Sequence, residues 1–403
     1  MLTGDQDKVR KINKSIVLNT LRLHAPISRA RVANLTGLNR STVSNIVNVL
    51  IEEGLVFEDQ QESNGIGRPG ITLGLRPDGG AVIGVEIGVG FISVLLTNFV
   101  AKPLWEIRVQ TTNSQSQTEV INLAEKFIDQ ALAIAKEHGL RPLGVGVGLP
   151  GLVNIRLGNL IMAPNLHWNN VPLRLIWNQR FRLPVYVDNE ANLAALGEYY
   201  FGIARNIDNF IYLSSDIGLG GGIMIGGKLF RGAHGYGGEI GHIQRNPQGE
   251  LCGCGRIGCW ETQVGPSAVL RRVKKEFQKS HDKTLLDACS GNLDDLSFDV
   301  VVKLALNGNL ICRQAIEEVA VNLGMGIADL VNVFNPDLIV IGGTLSLGRD
   351  ILQPIIEKTV FTIALNPAVD NLRIVFSDRS TEACALGAVA VVLDDILREM
   401  AIS

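Results

Sequence analysis

At 403 residues the chain is too long for one ordinary core, and its 46% hydrophobic content is enough to bury two or three, which excludes a disordered chain. A formal charge of −3 singles out no partner for the whole chain. No run of about 18 uninterrupted apolar residues offers a membrane span, and no secretory signal follows the basic residues at the start, so the expectation is a cytoplasmic protein in a reducing compartment.

The charge is uneven. Residues 1–50 carry eight Lys or Arg against two Asp. Such a basic segment suits a polyanion partner, with a solvated helix face as the plainer alternative. Ile12, Ile16, Leu18, Leu21 and Leu23 recur at helical spacing over 8–24, and Pro26 ends that helix. Ser28 caps a short helix through Leu35, and Gly37 supplies a tight turn. Asn39 caps a third helix to about Glu53 that buries Val43, Ile46, Val47, Leu50 and Ile51. Helix, glycine turn and helix fit a helix-turn-helix. Its last helix opens Asn39-Arg40-Ser41-Thr42, followed by Ser44 and Asn45. These short donors and acceptors suit base edges and phosphates in a major groove; Ser28 and Arg29, at the start of the preceding helix, join the candidate set.

Leu55-Val56-Phe57 and Ile71-Thr72-Leu73 flank Gly67-Arg68-Pro69-Gly70. Two strands around such a tip make a winged helix, and Arg68 would then reach a minor groove. A plain linker turn is the equal alternative. Residues 60–80 are dense in Gly, Pro, Ser and Asn, which places a domain boundary there.

From residue 81 the pattern turns to strands. AVIGVEIGVGFISVLLTNFVAKPLWEIRV reads as three antiparallel strands, and FIYLSSDIGLGGGIMIGGKLFR at 210–231 repeats the plan. An amphipathic helix is expected over 118–138. LGVGVGLPG at 143–151 is a buried strand, with LIVIGGTLS at 338–346 as its counterpart. Two related α/β lobes around a cleft follow. The glycine turns join strand to strand, so a dinucleotide fold is disfavoured.

Three motifs now carry a resemblance. GAHGYGGEIGHIQRNPQGELCGCGRIGCWE, VDNEANLAALGE at 187–198 and APNLHW at 163–168 resemble the ROK family of sugar kinases and sugar-responsive transcriptional repressors. With the N-terminal helix-turn-helix, the chain resembles the repressor branch, including xylose, glucose and N-acetylglucosamine repressors. The resemblance implies a two-lobed, actin-like (ribonuclease-H-like) α/β fold. The expected division is a winged helix-turn-helix domain with linker over 1–78, a first lobe over 79–198 joined by a C-terminal helix at 382–403, and a second lobe over 199–381.

His242, Cys252, Cys254 and Cys259 supply one nitrogen and three thiolates within eighteen residues. Four such ligands close a tetrahedral, structural Zn²⁺ site. A reducing compartment disfavours a disulfide, and a polar, glycine-rich loop is no place for core thiols. Cys289, Cys312 and Cys384 stand in helical, apolar settings that read as core. Glu239 and Glu261 flank the metal set. By resemblance, Asn189, Glu190, Glu239, His242 and Glu261 contact a sugar, and Asn165 and the Pro150-Gly151 turn line the same pocket. Trp168 would stack on a pyranose face or lie in the core.

The family's kinases need two glycine–threonine phosphate turns and an Asp general base. At the matching positions stand Glu86-Ile87-Gly88-Val89-Gly90, Asp216-Ile217-Gly218-Leu219-Gly220 and Glu190. Asp216 would face the triphosphate with like charge, and Glu190 is one methylene longer than the base it replaces. The expectation is a sensor and not an enzyme: a repressor that binds an operator as a homodimer or homotetramer and responds to a free aldose. The rival is a sugar kinase with a DNA-binding appendage.

Overall fold

In the computed structural model, residues 3–60, 71–112, 114–379 and 381–400 are described. The N-terminal unit holds α1 (Thr3–His24), α2 (Arg29–Thr36) and α3 (Arg40–Glu52), then β1 (Val56–Gln60) paired antiparallel with β2 (Ile71–Leu75). Local chemistry sets its corners. Ser28 Oγ accepts from the Arg31 amide, and Asn39 Oδ1 accepts from the Thr42 amide at 2.7 Å, so each satisfies an orphan N–H at a helix start. Gly37 takes φ 70°, a conformation costly for a residue with a Cβ.

Val17, Leu18, Leu21, Val32, Val43, Ile46, Val47 and Leu50 form the centre of this unit. The buried stripe of α1 is therefore Val17, Leu18 and Leu21. Ile12 and Ile16, expected inside, lie with Val9 on a neighbouring stripe that stays exposed. Helical spacing alone fits both stripes, and tertiary packing selects one. Arg68 falls outside the described residues.

The body contains two five-stranded sheets. The first is built from β3 (Ala81–Gly88), β4 (Phe91–Asn98), β5 (Pro103–Gln110), β6 (Pro142–Leu149) and β10 (Val185–Asn189), with α4 (Gln117–Glu137) between β5 and β6. A small sheet of β7 (Leu152–Asn154), β8 (Asn159–Ala163) and β9 (Trp168–Val171), then α5 (Leu173–Phe181), precede β10. After α6 (Glu190–Phe201), the second large sheet uses β11 (Phe210–Ser214), β12 (Gly220–Ile225), β13 (Lys228–Leu229), β14 (Leu338–Gly342) and β15 (Arg373–Phe376). Helices α7 (Pro266–Ser280), α8 (Lys283–Ala288), α9 (Phe298–Leu306) and α10 (Leu310–Phe334) separate β13 from β14. The chain ends with α11 (Arg349–Ile363) and α12 (Asn366–Val369) before β15, and α13 (Ala383–Met400) after it.

The two sheets have the same strand order. Each runs third, second, first, fourth, fifth: an antiparallel meander whose first strand then pairs in parallel with the fourth, and the fourth with the fifth. The repeat read at 81 and 210 is thus a repeat of topology. The central strands read as near-continuous Val, Ile, Leu and Gly because both faces are covered. Helix α13 returns to the first sheet. A Cβ at Gly84 or Gly146 would stand 2.1 or 2.2 Å from the carbonyl oxygens of Ala385 and Ala388, so these glycines let α13 lie directly on β3 and β6.

Helix α6 runs through residue 198 and packs on both α13 and β12, so a lobe boundary at 198 falls inside it. Trp168 is buried in the first lobe's core beside Leu160 and Leu173, which resolves its two readings in favour of packing. Cys289, Cys312 and Cys384 are buried as expected.

Candidate functional site

One cavity lies between the two sheets, at the ends of β3, β6, β10 and β11. Asn165, Asn189, Glu190, Glu239, His242 and Glu261 all line it, together with Pro150 and Gly151. Segments far apart in sequence converge there because the strand ends of both lobes face the same gap.

Asn189 ends β10 and caps α6. Its Oδ1 accepts from the amides of Ala191 (2.8 Å) and Asn192 (3.2 Å), and its Nδ2 donates to the Gly151 carbonyl at 3.1 Å. Most of its hydrogen-bonding capacity holds the Pro150-Gly151 turn against the helix. Glu190 follows, and burial, reinforced by Glu86, Glu239 and Asp216, pushes its carboxyl up to about 8. Glu86 on β3 is also raised to about 8, by burial first and then by Asp216. Burial likewise raises Glu239.

His242 ends a one-turn helix (Ile240–His242) that follows directly on Glu239. The short turn brings His242 Nε2 to 3.9 Å from Glu239 Oε2, as their spacing implied. The other ring nitrogen, Nδ1, faces Cys252 Sγ at 3.6 Å, while Cys254 and Cys259 Sγ lie 3.7 Å apart. All four ligand atoms fall within 4.8 Å of one another. A tetrahedral site with Zn–S near 2.3 Å and Zn–N near 2.0 Å has edges of about 3.5 to 3.8 Å. The donor set and spacing fit such an ion. A disulfide needs an S–S distance of about 2.05 Å, so the Cys254–Cys259 pair is unbonded. Glu261 joins the metal-type cluster to the cleft: Oε1 accepts from Cys252 Sγ at 2.7 Å, and Oε2 accepts from the Leu219 amide at 3.4 Å.

Two residues that sequence reasoning passed over position this site. Asp188, buried on β10, accepts from Arg231 at 2.5 and 3.1 Å and from the Asn189 amide at 2.8 Å. Arg231 opens the loop that carries Glu239 and His242, so the pair ties that loop to the strand bearing Asn189. The signal was the Asp preceding Asn189-Glu190 in VDNEAN.

Asp216, which also lines the cavity, accepts hydrogen bonds from the amide and hydroxyl of Thr344, at 2.8 and 2.7 Å. Val89 and Phe91 line the wall after Gly88, and Arg108 stacks on the Phe91 ring at 3.6 Å.

On the helix-turn-helix, Asn39, Arg40, Ser41 and Asn45 are exposed; Thr42 and Ser44 are half-buried. Ser41 donates its hydroxyl to Asn39. Ser28 serves as a cap. Arg29 is engaged by Glu58 (2.8 Å), Asn48 Oδ1 (2.9 Å) and the Ser44 carbonyl (3.1 Å), and so staples α2 to α3 and β1. The exposed row of α3 runs Ser41, Asn45, Asn48 and Glu52. Asn48 was missed although it continues the same helical spacing. No helix among the described residues is long and apolar enough to cross a membrane.

Residues 82–395 match the description of the ROK family, and residues 17–60 match the IclR helix-turn-helix domain. A xylose repressor of Caldicellulosiruptor bescii is 37% identical over 98% of both chains. A ROK family transcriptional regulator, a homologue of the E. coli MLC protein, superposes with TM-score 0.82 at 28% identity over 98% of this chain and 99% of that one. A ROK family glucokinase from Streptomyces griseus, solved with glucose and AMPPNP, superposes with TM-score 0.68 at 31% identity, covering 77% of this chain and 99% of the kinase. The chain, with a helix-turn-helix ahead of two repeated lobes and a loop of one histidine and three cysteines beside their cleft, belongs to the ROK family.

Proposed function

We propose that this protein is a transcriptional repressor of carbohydrate metabolism genes that binds an operator through α3 and responds to a free aldose in the cleft. The observation that carries the reading is the contrast between two groups of residues that line the same cavity. One group is Asn165, Glu190, Glu239, His242 and Glu261, a set of acceptors and donors suited to hydroxyls. The other group is Glu86 and Asp216, at the positions that match the phosphate turns of the family's kinases, with Asp216 already engaged by Thr344. Xylose is the first effector to test, since a relative similar over nearly the whole chain is a xylose repressor.

His242, Cys252, Cys254 and Cys259 would hold a structural zinc ion, which would fix the loop. When bound it would draw on the lone pair of His242 Nδ1, which leaves Nε2 as an N–H facing Glu239 and the cleft. His242 then donates to a sugar oxygen, while the carboxylates of Glu239 and Glu261 accept from hydroxyls. Arg40, Ser41 and Asn45, with Asn39 and Thr42 at the helix start, face the major groove. One such helix reads only a few base pairs, so the protein acts as a dimer or tetramer on a pseudo-palindrome.

A gel shift with the protein's own upstream DNA, with and without xylose, glucose and N-acetylglucosamine, tests the reading. Retardation relieved by one free sugar is the expected result. Lack of any DNA binding at low salt, or ATP-dependent phosphorylation of one of these sugars, overturns it in favour of a kinase.

A further inference from the structure

Arg22 belongs to the helix-turn-helix unit, yet its side chain is only 5% exposed, because it is inserted into the body. Its guanidinium lies over the Tyr200 ring, 3.9 Å from the centroid, and is ion-paired to Asp394 of α13. It also donates to the Ala390 carbonyl at 3.3 Å, and the Tyr200 hydroxyl donates to the same Asp394 carboxylate at 3.0 Å. Nearby, Arg205 donates to the Leu23 carbonyl at 2.9 Å, at the end of α1. The basic balance of the first fifty residues counts Arg22 among DNA-facing charges; the structure assigns it elsewhere.

Tyr200 stands in the last turn of α6. The first turn of that helix is Glu190, capped by Asn189, in the sugar cleft. Twelve residues of helix span about 18 Å, so one rigid element ends in the cleft and at the DNA-binding unit. It has little room to move alone. A Cβ at Gly197 would stand 2.1 Å from the Ala383 carbonyl oxygen, and one at Gly387 would stand 1.7 Å from that of Leu193. Helices α6 and α13 therefore touch backbone to backbone, and the two partners of Arg22, Tyr200 and Asp394, sit on this joined pair.

We infer that Arg22, held between Tyr200 and Asp394, is the positioning residue through which occupancy of the cleft sets the placement of the helix-turn-helix. The inference rests on the sugar-responsive reading above. A guanidinium taken out of water is stable only where stacking and ion pairing are both well formed. A shift of α6 and α13 by a fraction of an ångström to an ångström disturbs both at once, and the cation then favours leaving its socket. A contact made or broken as a unit in this way would supply the two-state element that coupling requires. Because coupling is reciprocal, operator DNA must change sugar affinity by the factor with which sugar changes DNA affinity.

The test compares the full-length protein with Arg22→Met and Tyr200→Leu, using xylose and operator DNA. Calorimetry measures sugar affinity with and without DNA; fluorescence anisotropy measures DNA affinity with and without sugar. Circular dichroism melts establish that each variant is folded, and Tyr200→Phe, which keeps the stacking ring, serves as the conservative variant. In both disruptive variants, sugar affinity without DNA should stay within about threefold of wild type, while the sugar-dependent change in DNA affinity falls at least tenfold, towards no effect. Tyr200→Phe should retain most of the coupling. Full sugar response in folded Arg22→Met and Tyr200→Leu would overturn the inference. Loss of response in Arg22→Met together with lost sugar binding would also overturn it, because the residue would then be supporting the cleft and not linking it. A wild-type protein that binds DNA without any sugar response would instead overturn the reading on which the inference rests.

Discussion

Asp216 Oδ1 accepts from both the amide and the hydroxyl of Thr344, so a carboxylate of the protein itself holds the start of the one-turn helix Thr344–Gly348. A helix start of this kind is where a phosphate would seek N–H groups. Replacing Asp216 by Gly should free that amide and remove one negative charge from the cleft. Mg-ATP affinity is expected to rise about tenfold or more, equivalent to roughly 1.4 kcal/mol. No sugar phosphorylation should appear, because Glu86, Val89 and Glu190 remain. Calorimetry with a non-hydrolysable ATP analogue checks the first part and a coupled kinase assay the second. Unchanged nucleotide affinity would show that Asp216 is not the obstacle.

Cys254 is the ligand to remove in testing the metal centre. Freshly purified protein should carry about one zinc per chain, and Cys254→Ser should lose it. Glu261 contacts Cys252 and the Leu219 amide, and Glu239 precedes His242, so the variant's sugar affinity should fall at least tenfold. Elemental analysis and sugar titration measure the two effects. Full sugar affinity in metal-free protein would refute the structural role.

Much of this arrangement was legible in the sequence, and the reasons are local. Ser28, Gly37 and Asn39 mark helix ends by chemistry that acts within four residues, and the structure keeps all three roles. The doubled strand plan was readable because glycine turns and apolar runs recur in the same order. The lining of the cleft was not readable from spacing: Asn165 and Glu261 come together only once two lobes face each other, and only the family resemblance brought them into one set. Tertiary questions went the same way. Nothing near Arg29 announces that Glu58 and Asn48 will occupy it, nothing near Ile12 says which stripe of α1 packs, and Trp168 gave equal grounds for core and ligand stacking.

On the proposed reading, the different surroundings of Arg40 and Arg29 separate recognition from architecture. Arg40→Ala removes an exposed cation at the start of α3 and should weaken operator binding by about 1–3 kcal/mol with little change in melting temperature. Arg29→Ala breaks the staple to Glu58, Asn48 and the Ser44 carbonyl and should mainly lower the stability of the N-terminal unit. Anisotropy and thermal melts on both variants decide the point. An Arg29→Ala protein of wild-type stability with lost DNA binding would return Arg29 to the DNA face.

Glu86 and Glu190 make stability depend on pH in a stated direction. Both are held up to about 8 in the fold, by burial first and by neighbouring carboxylates second. In the unfolded chain a Glu titrates near about 4.3. Between those values the folded state binds protons that the unfolded state does not, so stability is full below the unfolded value and is lost as pH rises through about 8. The melting temperature of sugar-free protein should therefore fall from pH 6 to pH 9. Glu86→Gln should flatten the fall. A melting temperature that rises over this range would contradict the burial argument.

On the proposed reading, the cleft's charge also decides which form of a sugar it accepts. Five carboxyl groups line it, those of Glu86, Glu190, Asp216, Glu239 and Glu261, and the described lining residues include no Lys or Arg. A neutral aldose meets acceptors that its hydroxyls can satisfy. A sugar phosphate brings a dianion toward groups of like charge, at a cost of several kcal/mol within about 4–6 Å at the effective dielectric of a protein cleft. The two raised carboxyls soften this at neutral pH by staying protonated, yet they supply no cation in exchange. Calorimetric titration with xylose and xylose 5-phosphate should show the phosphorylated form binding at least tenfold more weakly, with the gap widening from pH 7 to pH 9 as Glu86 and Glu190 ionise. Equal or tighter binding of the phosphate would mean that the Asp216–Thr344 contact opens to receive an anion, and the cleft would then have to be reread as a phosphate site.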